Sequence, residues 1–317
     1  MDGAGLRIAH FSDLHVLALQ GVPRWRLLTN KRVTGYANLL FRRGRQHRIE
    51  IVRALARDLI TMQVDHLVVT GDVSNLALET EFEAARSLLE QELSMGPEAV
   101  TLVPGNHDRY TRRSYSARRF EKHFGGYLHS DLQLPSEYGS EPFPVVKLRG
   151  PAAIVGLTTA VPRLPFVAAG FAGKRQLRAL GWVLAQQEVK SRTLVLLTHH
   201  PLAEPMKGLH GWMEGLRDAA ALLDTLQGCS RGLALHGHLH RRVLRIVPTR
   251  AGELWSVGAT SSSLVHKHQL RMAGYNVYDL ATDGRVQRVS ARVLDMTTMA
   301  FGESPVPVVA LHDRGIT

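Results

Sequence analysis

The chain has a single cysteine, Cys229, among its 317 residues. That excludes a disulfide scaffold and any thiolate-rich metal site. No apolar run reaches the roughly 18 residues that a spanning helix needs. A strand-like run starts at Leu6 and a polar motif follows by Ser12, which leaves no room for a signal peptide and makes the cytoplasm the expected compartment. Acidic residues are few, 28 Asp and Glu against 39 Lys and Arg, for a formal charge of +11. Lysine is scarcer still, 7 against 32 arginines. Such a bias often reflects genomic base composition. The physical alternative is an acidic partner: nucleic acid, an anionic membrane surface or a phosphorylated substrate. Internal repeats and low-complexity tracts are absent as well. With 44% hydrophobic and 21% charged residues the composition is that of a folded chain with a sizeable core, and overall disorder is excluded.

What is present is an alternation of strand-like and helix-like stretches through the first two-thirds. Leu6–Phe11, His66–Thr70, Ala99–Val103, Ala153–Leu157, Thr193–Thr198 and Leu233–Leu235 read as strands. Gln46–Met62 reads as a helix with Ile49, Val52, Leu55, Ala56, Leu59 and Ile60 on one face. Glu79–Leu93, Lys174–Val189 and Leu216–Leu226 read as further helices. After His240 the stretches Val243–Val247, Glu253–Val257, Tyr275–Leu280 and Val286–Val293 read as a β-meander packed on the α/β part. The expected organisation is one domain over 1–296, carrying a basic amphipathic insert at 22–48, and a C-terminal tail over 297–317.

Five polar motifs follow five of the expected strands: Asp13-Leu14-His15, Gly71-Asp72, Gly105-Asn106-His107-Asp108, His199-His200-Pro201 and Gly237-His238-Leu239-His240. Ligands of α/β sheets collect at the carboxyl ends of strands, so the five motifs converge on one rim. The rim offers Asp and His, one Asn and no sulfur. Such donors suit Mn, Fe or Zn better than Mg or Ca, which prefer oxygen. Seven candidate ligands are too many for one ion with an open position and suit two ions that share a carboxylate, an arrangement used in phosphoryl transfer. In Asp13-x-His15 the i and i+2 side chains leave a strand end on the same side and can reach one ion. His238 and His240 either do the same or diverge to neighbouring ions.

Taken together, the five motifs in this order resemble the calcineurin-like metallophosphoesterase superfamily, over residues 8 to 240. The resemblance implies a sandwich of two facing mixed β-sheets flanked by helices, and a binuclear centre that hydrolyses phosphoesters with a bridging hydroxide. It implies that Asp13, His15 and His240 hold one metal, that Asn106, His199 and His238 hold the other, and that Asp72 bridges them. His107 would protonate the leaving oxygen and Asp108 would orient His107. Within the superfamily the motif texture looks most like bacterial class III cyclic-nucleotide phosphodiesterases, so phosphodiester hydrolysis is the expected activity. Alternatives on the same fold are a pyrophosphohydrolase of the UDP-diacylglucosamine type, a nuclease, or, without catalysis, a protein-interaction subunit. That last alternative ranks lowest because relatives of that kind have lost metal ligands.

Two further features carry weaker signals. Arg109 follows the third motif and is a candidate phosphate contact, although an exposed loop arginine is the commoner case. Between Val22 and Arg48 lie eight basic residues and no acid, interleaved with Trp25, Leu27, Leu28, Val33, Tyr36, Leu39, Leu40 and Phe41. This insert reads as a connecting helix, as a cap over an anionic or lipid-linked substrate, or as peripheral contact with the anionic inner face of the membrane.

Overall fold

In the computed structural model, residues 5–23, 25, 49–204 and 208–311 are described. Twelve strands form two six-stranded sheets flanked by helices. The first sheet has β1 (Leu6–Phe11), β2 (His66–Val69) and β3 (Val100–Leu102) running parallel. It continues antiparallel from β1 through β10 (Gly274–Leu280), β11 (Val286–Asp295) and β12 (Ala300–Pro305). The second sheet runs in the order β4 (Val145–Arg149), β5 (Ala152–Gly156), β6 (Thr193–Leu197), β7 (Gly232–His236), β9 (Glu253–Gly258) and β8 (Val243–Pro248). Its four central strands, β5, β6, β7 and β9, are parallel.

Strand alternation builds the layers. Ile154, Val195, Leu197, Leu233 and Leu235 face the core shared with Ile8, Phe11, Leu67 and Val69 of the first sheet. The intervening Ala153, Val155, Leu194, Leu196 and Ala234 face a second core with Leu180, Val183 and Leu222 of the outer helices α5 (Lys174–Ala185) and α8 (Ala219–Thr225). Burial on both faces explains why these strands read as continuous apolar runs. On the other side, α1 (Ile49–Thr61) and α2 (Glu79–Ser87) cover the first sheet. The buried stripe of α1 is Ile51, Val52, Leu55, Ala56 and Leu59, while Ile60 turns outward, 59% exposed. The expected helix at 79–93 is α-helical to Ser87 and widens into a π-turn at Leu88–Glu92. Short α3 (Arg112–Ser116) and α4 (Arg119–Phe124) follow β3, and α6 (Gln187–Lys190) continues α5 after a break at Gln186. No described helix is long and apolar enough to cross a membrane.

Two expectations change. The strands after His240 are not one meander packed on the α/β part: β8 and β9 complete the second sheet, and the antiparallel run β10 to β12 continues the first. The stretch expected to be a tail supplies β12 and then reaches the other sheet, where Leu244 donates its N–H to Pro307 and Val309 donates to Leu244. This strap joins the outer edges of both sheets. Phe301 on it is buried near Tyr275, ring centroids 6.3 Å apart. Phe301→Ala is therefore expected to cost about 3 kcal/mol in urea unfolding, the low end for a buried aromatic; a loss within 0.5 kcal/mol would show the strap to be dispensable. Apart from Val22, Pro23 and Trp25, the basic insert at 22–48 lies outside the described residues.

Candidate metal centre

The five motifs leave the ends of β1, β2, β3, β6 and β7 and meet at one rim. The loop after β1 continues to pair with the loop after β2: Asp13 donates its N–H to Gly71, His15 to Asp72 and Val16 to Val73, at 3.0, 2.9 and 2.9 Å. The loop after β3 is drawn in by Asp108, and the last two motifs are joined by a Gly237 N–H bond to the His199 carbonyl, 3.1 Å. Five residues here, Asp13, His15, Asp72, His238 and His240, have left-handed φ between 46° and 68°. Such backbone costs about 1–3 kcal/mol per non-glycine residue and clusters where function demands it. Two glycines are required by close approach. A Cβ on Gly105 would overlap the Asp72 carboxylate, and one on Gly237 would overlap Ser12 and Asp13.

The side chains fall into two groups joined by Asp72. In the first, Asp13 Oδ1 lies 3.0 Å from His240 Nε2 and 3.8 Å from His15 Nε2, and the two imidazole nitrogens face each other at 3.3 Å. Asp13 Oδ2 is held by the Ser12 hydroxyl, 2.6 Å, and the His238 N–H, 3.1 Å. In the second, Asn106 Oδ1 lies 3.0 Å from His199 Nε2 and 3.1 Å from His238 Nδ1. Asp72 Oδ2 stands 3.4 Å from His199 Nε2 and 4.0 Å from His15 Nε2, and its Oδ1 accepts the His107 N–H at 2.7 Å. His238 and His240 thus diverge to different groups. His199 turns inward, whereas the adjacent His200 turns away and bonds Thr159, 2.8 Å, and the Ala168 carbonyl, 2.6 Å.

The electrostatics show what this arrangement requires. Burial alone would raise the Asp13 carboxyl, but the His240 ring holds it well below the usual range. Burial opposes charge on His199, yet the Asp72 carboxylate raises its pKa to about 9. Burial and the His199 charge lower His238 to about 3, so that ring is neutral. Its Nε2–H donates to the Glu214 carbonyl at 3.0 Å, which leaves the Nδ1 lone pair facing the Asn106 amide oxygen. Two lone pairs at that separation call for a cation between them. His199 engages its Nδ1–H with the Thr70 carbonyl, 2.7 Å, and turns Nε2 to the Asp72 and Asn106 oxygens, where a metal ion would take the place of its proton. Histidines anchored through one nitrogen to a carbonyl are oriented as metal ligands are. Two ionised carboxylates and inward imidazole nitrogens fit Mn, Fe or Zn.

His107 is half-buried beside this group. Its Nδ1–H donates to the Asn75 carbonyl at 2.7 Å, and its ring stacks on Tyr110 with centroids 5.3 Å apart. His107 also forms a trio with His15 and Asp72 whose ligating atoms lie within 4.8 Å of one another. The role expected of Asp108 changes. Its carboxylate accepts the N–H groups of Val73, Ser74 and Gly105 and the Ser74 hydroxyl, at 2.8 to 3.3 Å, so it joins two loops. Burial and the nearby Asp72 push it up to about 7. Asn75, whose carbonyl orients His107, escaped the sequence reading because a backbone oxygen leaves no motif; so did the carbonyls of Thr70 and Glu214. Arg109, the candidate phosphate contact, is buried against Glu121 and bonds the Ala160 carbonyl, 3.4 Å. Away from the rim, Glu98, His129 and Asp131 also gather, but Arg149 already bridges the two carboxylates at 2.8 and 2.7 Å.

The family model of calcineurin-like phosphoesterases matches residues 6–242. The sequence matches no curated protein significantly. Among solved structures, a dimetal phosphatase from Danio rerio is similar with a TM-score of 0.54 and 13% identity, over 96% of this chain and 100% of that one. The purple acid phosphatase PPD1 from yellow lupin seeds gives 0.58 and 12%, over 98% of this chain and 54% of its own. The sulfate thiohydrolase SoxB of Thermus thermophilus gives 0.51 and 17%, over 96% and 59%. At these identities the likeness to the solved structures is one of fold.

Proposed function

The chain belongs to the calcineurin-like phosphoesterase family and is a metal-dependent phosphoester hydrolase; from that premise we propose that it cleaves phosphodiesters, with water as nucleophile. In this reading Asp13, His15 and His240 would hold one cation, Asn106, His199 and His238 a second, and Asp72 would serve both. Bound Mn, Fe or Zn ions would supply the positive charge that makes a water acidic enough to attack and that neutralises the phosphoryl oxygens. The protein's own part is to fix the donors and to move a proton. Ser12 and the His238 N–H hold Asp13, the Thr70 carbonyl holds His199, and the Glu214 carbonyl holds His238.

The setting of His107 supports cleavage of esters with a poor leaving group, monoesters and diesters alike. Its Nδ1–H is fixed on Asn75, so Nε2 can deliver a proton to a departing alkoxide, a leaving group that needs general acid help. The observation that favours the diester is the position of the adjoining Arg109, held inward by Glu121, which leaves the extra charge of a monoester without that cation. Hydrolysis of bis(nitrophenyl) phosphate and nitrophenyl phosphate by Mn²⁺-loaded protein tests this. The diester should be preferred in kcat/KM by at least ~10-fold, a difference of about 1.4 kcal/mol in transition-state stabilisation. A preference for the monoester would overturn the diester reading and leave the hydrolase class intact.

A further inference from the structure

The loop between β5 and α5 and the short helix α7 (Gly208–Glu214) form one edge beside the metal centre. They are joined by main-chain bonds: Ala168 N–H to Met213, 2.8 Å, Gly170 N–H to Gly215, 3.1 Å, and Arg217 N–H to Gly170, 3.1 Å. The edge adjoins the site directly, since Glu214 accepts from His238 and Ala168 from His200. Its apolar side chains point outward. Leu164 is 69% exposed, Phe166 76%, Leu209 72% and Trp212 53%, and α7 buries none of its residues. Phe166 also has a left-handed φ of 66°, a strained backbone for an aromatic residue. Burial within the described fold therefore explains neither the side chains nor the strain.

Two arginines flank this edge. Arg217 lies over the Trp212 ring at 4.9 Å, and burial together with the neighbouring Arg217 lowers the pKa of Arg163. The nearby carboxylates are engaged: Asp218 accepts the N–H groups of Ala172 and Gly173, at 3.0 and 2.8 Å, and Glu214 faces His210 at 3.8 Å. Protruding apolar side chains flanked by arginines, with tryptophan among them, match the boundary between lipid headgroups and acyl chains. The chain's formal charge of +11 adds long-range attraction to anionic lipid.

We propose that this edge, formed by the 160–171 loop and α7, docks on an anionic lipid surface. Docking there brings the metal centre to the level of the headgroups, where phosphodiesters are concentrated. The inference stands apart from the diester reading, because binding requires no turnover.

The test is co-sedimentation of the Mn²⁺-loaded protein with phosphatidylcholine vesicles, with and without phosphatidylglycerol. The wild type should bind the anionic vesicles and be released by high salt. Each of Leu164→Ser, Phe166→Ser and Leu209→Ser should weaken partitioning about tenfold, as loss of one buried apolar side chain does. Arg163→Gln and Arg217→Gln should weaken it about fivefold each. Turnover of a soluble nitrophenyl diester serves as the fold control and should be unchanged in the triple serine variant. The proposal is overturned if the wild type ignores anionic vesicles or if the triple serine variant binds them as well as the wild type. It is also overturned if the same substitutions abolish a concentration-dependent dimer, which would make this edge a contact between copies of the chain. Intact vesicle binding with no diester turnover would leave the docking edge standing and remove the diesterase assignment alone.

Discussion

Asp72→Ala is expected to lose both metal ions and to lower kcat by about 10³-fold or more, the scale of several kcal/mol of charge stabilisation. Its Oδ2 stands 3.4 Å from His199 and 4.0 Å from His15, between the two groups that the proposed reading assigns to the two ions. Its Oδ1 also receives the His107 N–H, and removing it loosens the loop that carries Asn106. His199→Ala should behave differently and weaken chiefly the ion that Asn106 and His238 share. Elemental analysis of protein purified with Mn²⁺ or Fe should approach two ions per chain for the wild type. A wild type with one ion and full activity would sink the bridged pair. Circular dichroism of Asp72→Asn, which keeps the shape and an acceptor oxygen, separates metal loss from unfolding.

His107→Ala is expected to keep its metals while kcat drops by roughly 10²–10⁴-fold, the usual worth of general acid catalysis. The deficit should shrink for a nitrophenol leaving group, which departs with little protonation. Here the structure sharpens the test, because His107 lies within ligand reach of His15 and Asp72 and also has its Nδ1–H fixed on a carbonyl. Loss of a metal ion in the variant would make His107 a ligand and remove the proton-transfer role. Uniform loss across leaving groups, with metals retained, would make it a binder of the phosphoryl oxygens.

The candidate site was legible because each part of it is local. A strand is an apolar run, its end is a polar motif, and five such endings in order need no knowledge of strand pairing. The choice between His199 and His200 was less local. The family's H-x-P spacing pointed to His199, and successive side chains leave a strand on opposite faces, yet which face meets the metals depends on the neighbouring strands. The role of Asp108 lay outside the sequence altogether. An Asp after His107 is as apt to orient that ring as to pin a loop, and only the approach of Val73, Ser74 and Gly105 decides.

The sequence by itself determined the two-faced apolar strands, the donor types at the rim and hence the class of chemistry, since these follow from residue identity and short-range periodicity. Tertiary structure decided where the late strands go, because β8 to β12 alternate alike whichever sheet they join, and only pairing with β1 and β7 assigns them. It also turned the expected tail into a strap, since the partners of residues 300–309 lie on β11 and β8 of two different sheets. Finally it supplied the carbonyls of Thr70, Asn75 and Glu214 that orient His199, His107 and His238. Every residue carries such an oxygen, so no side-chain pattern reveals which of them will face an imidazole.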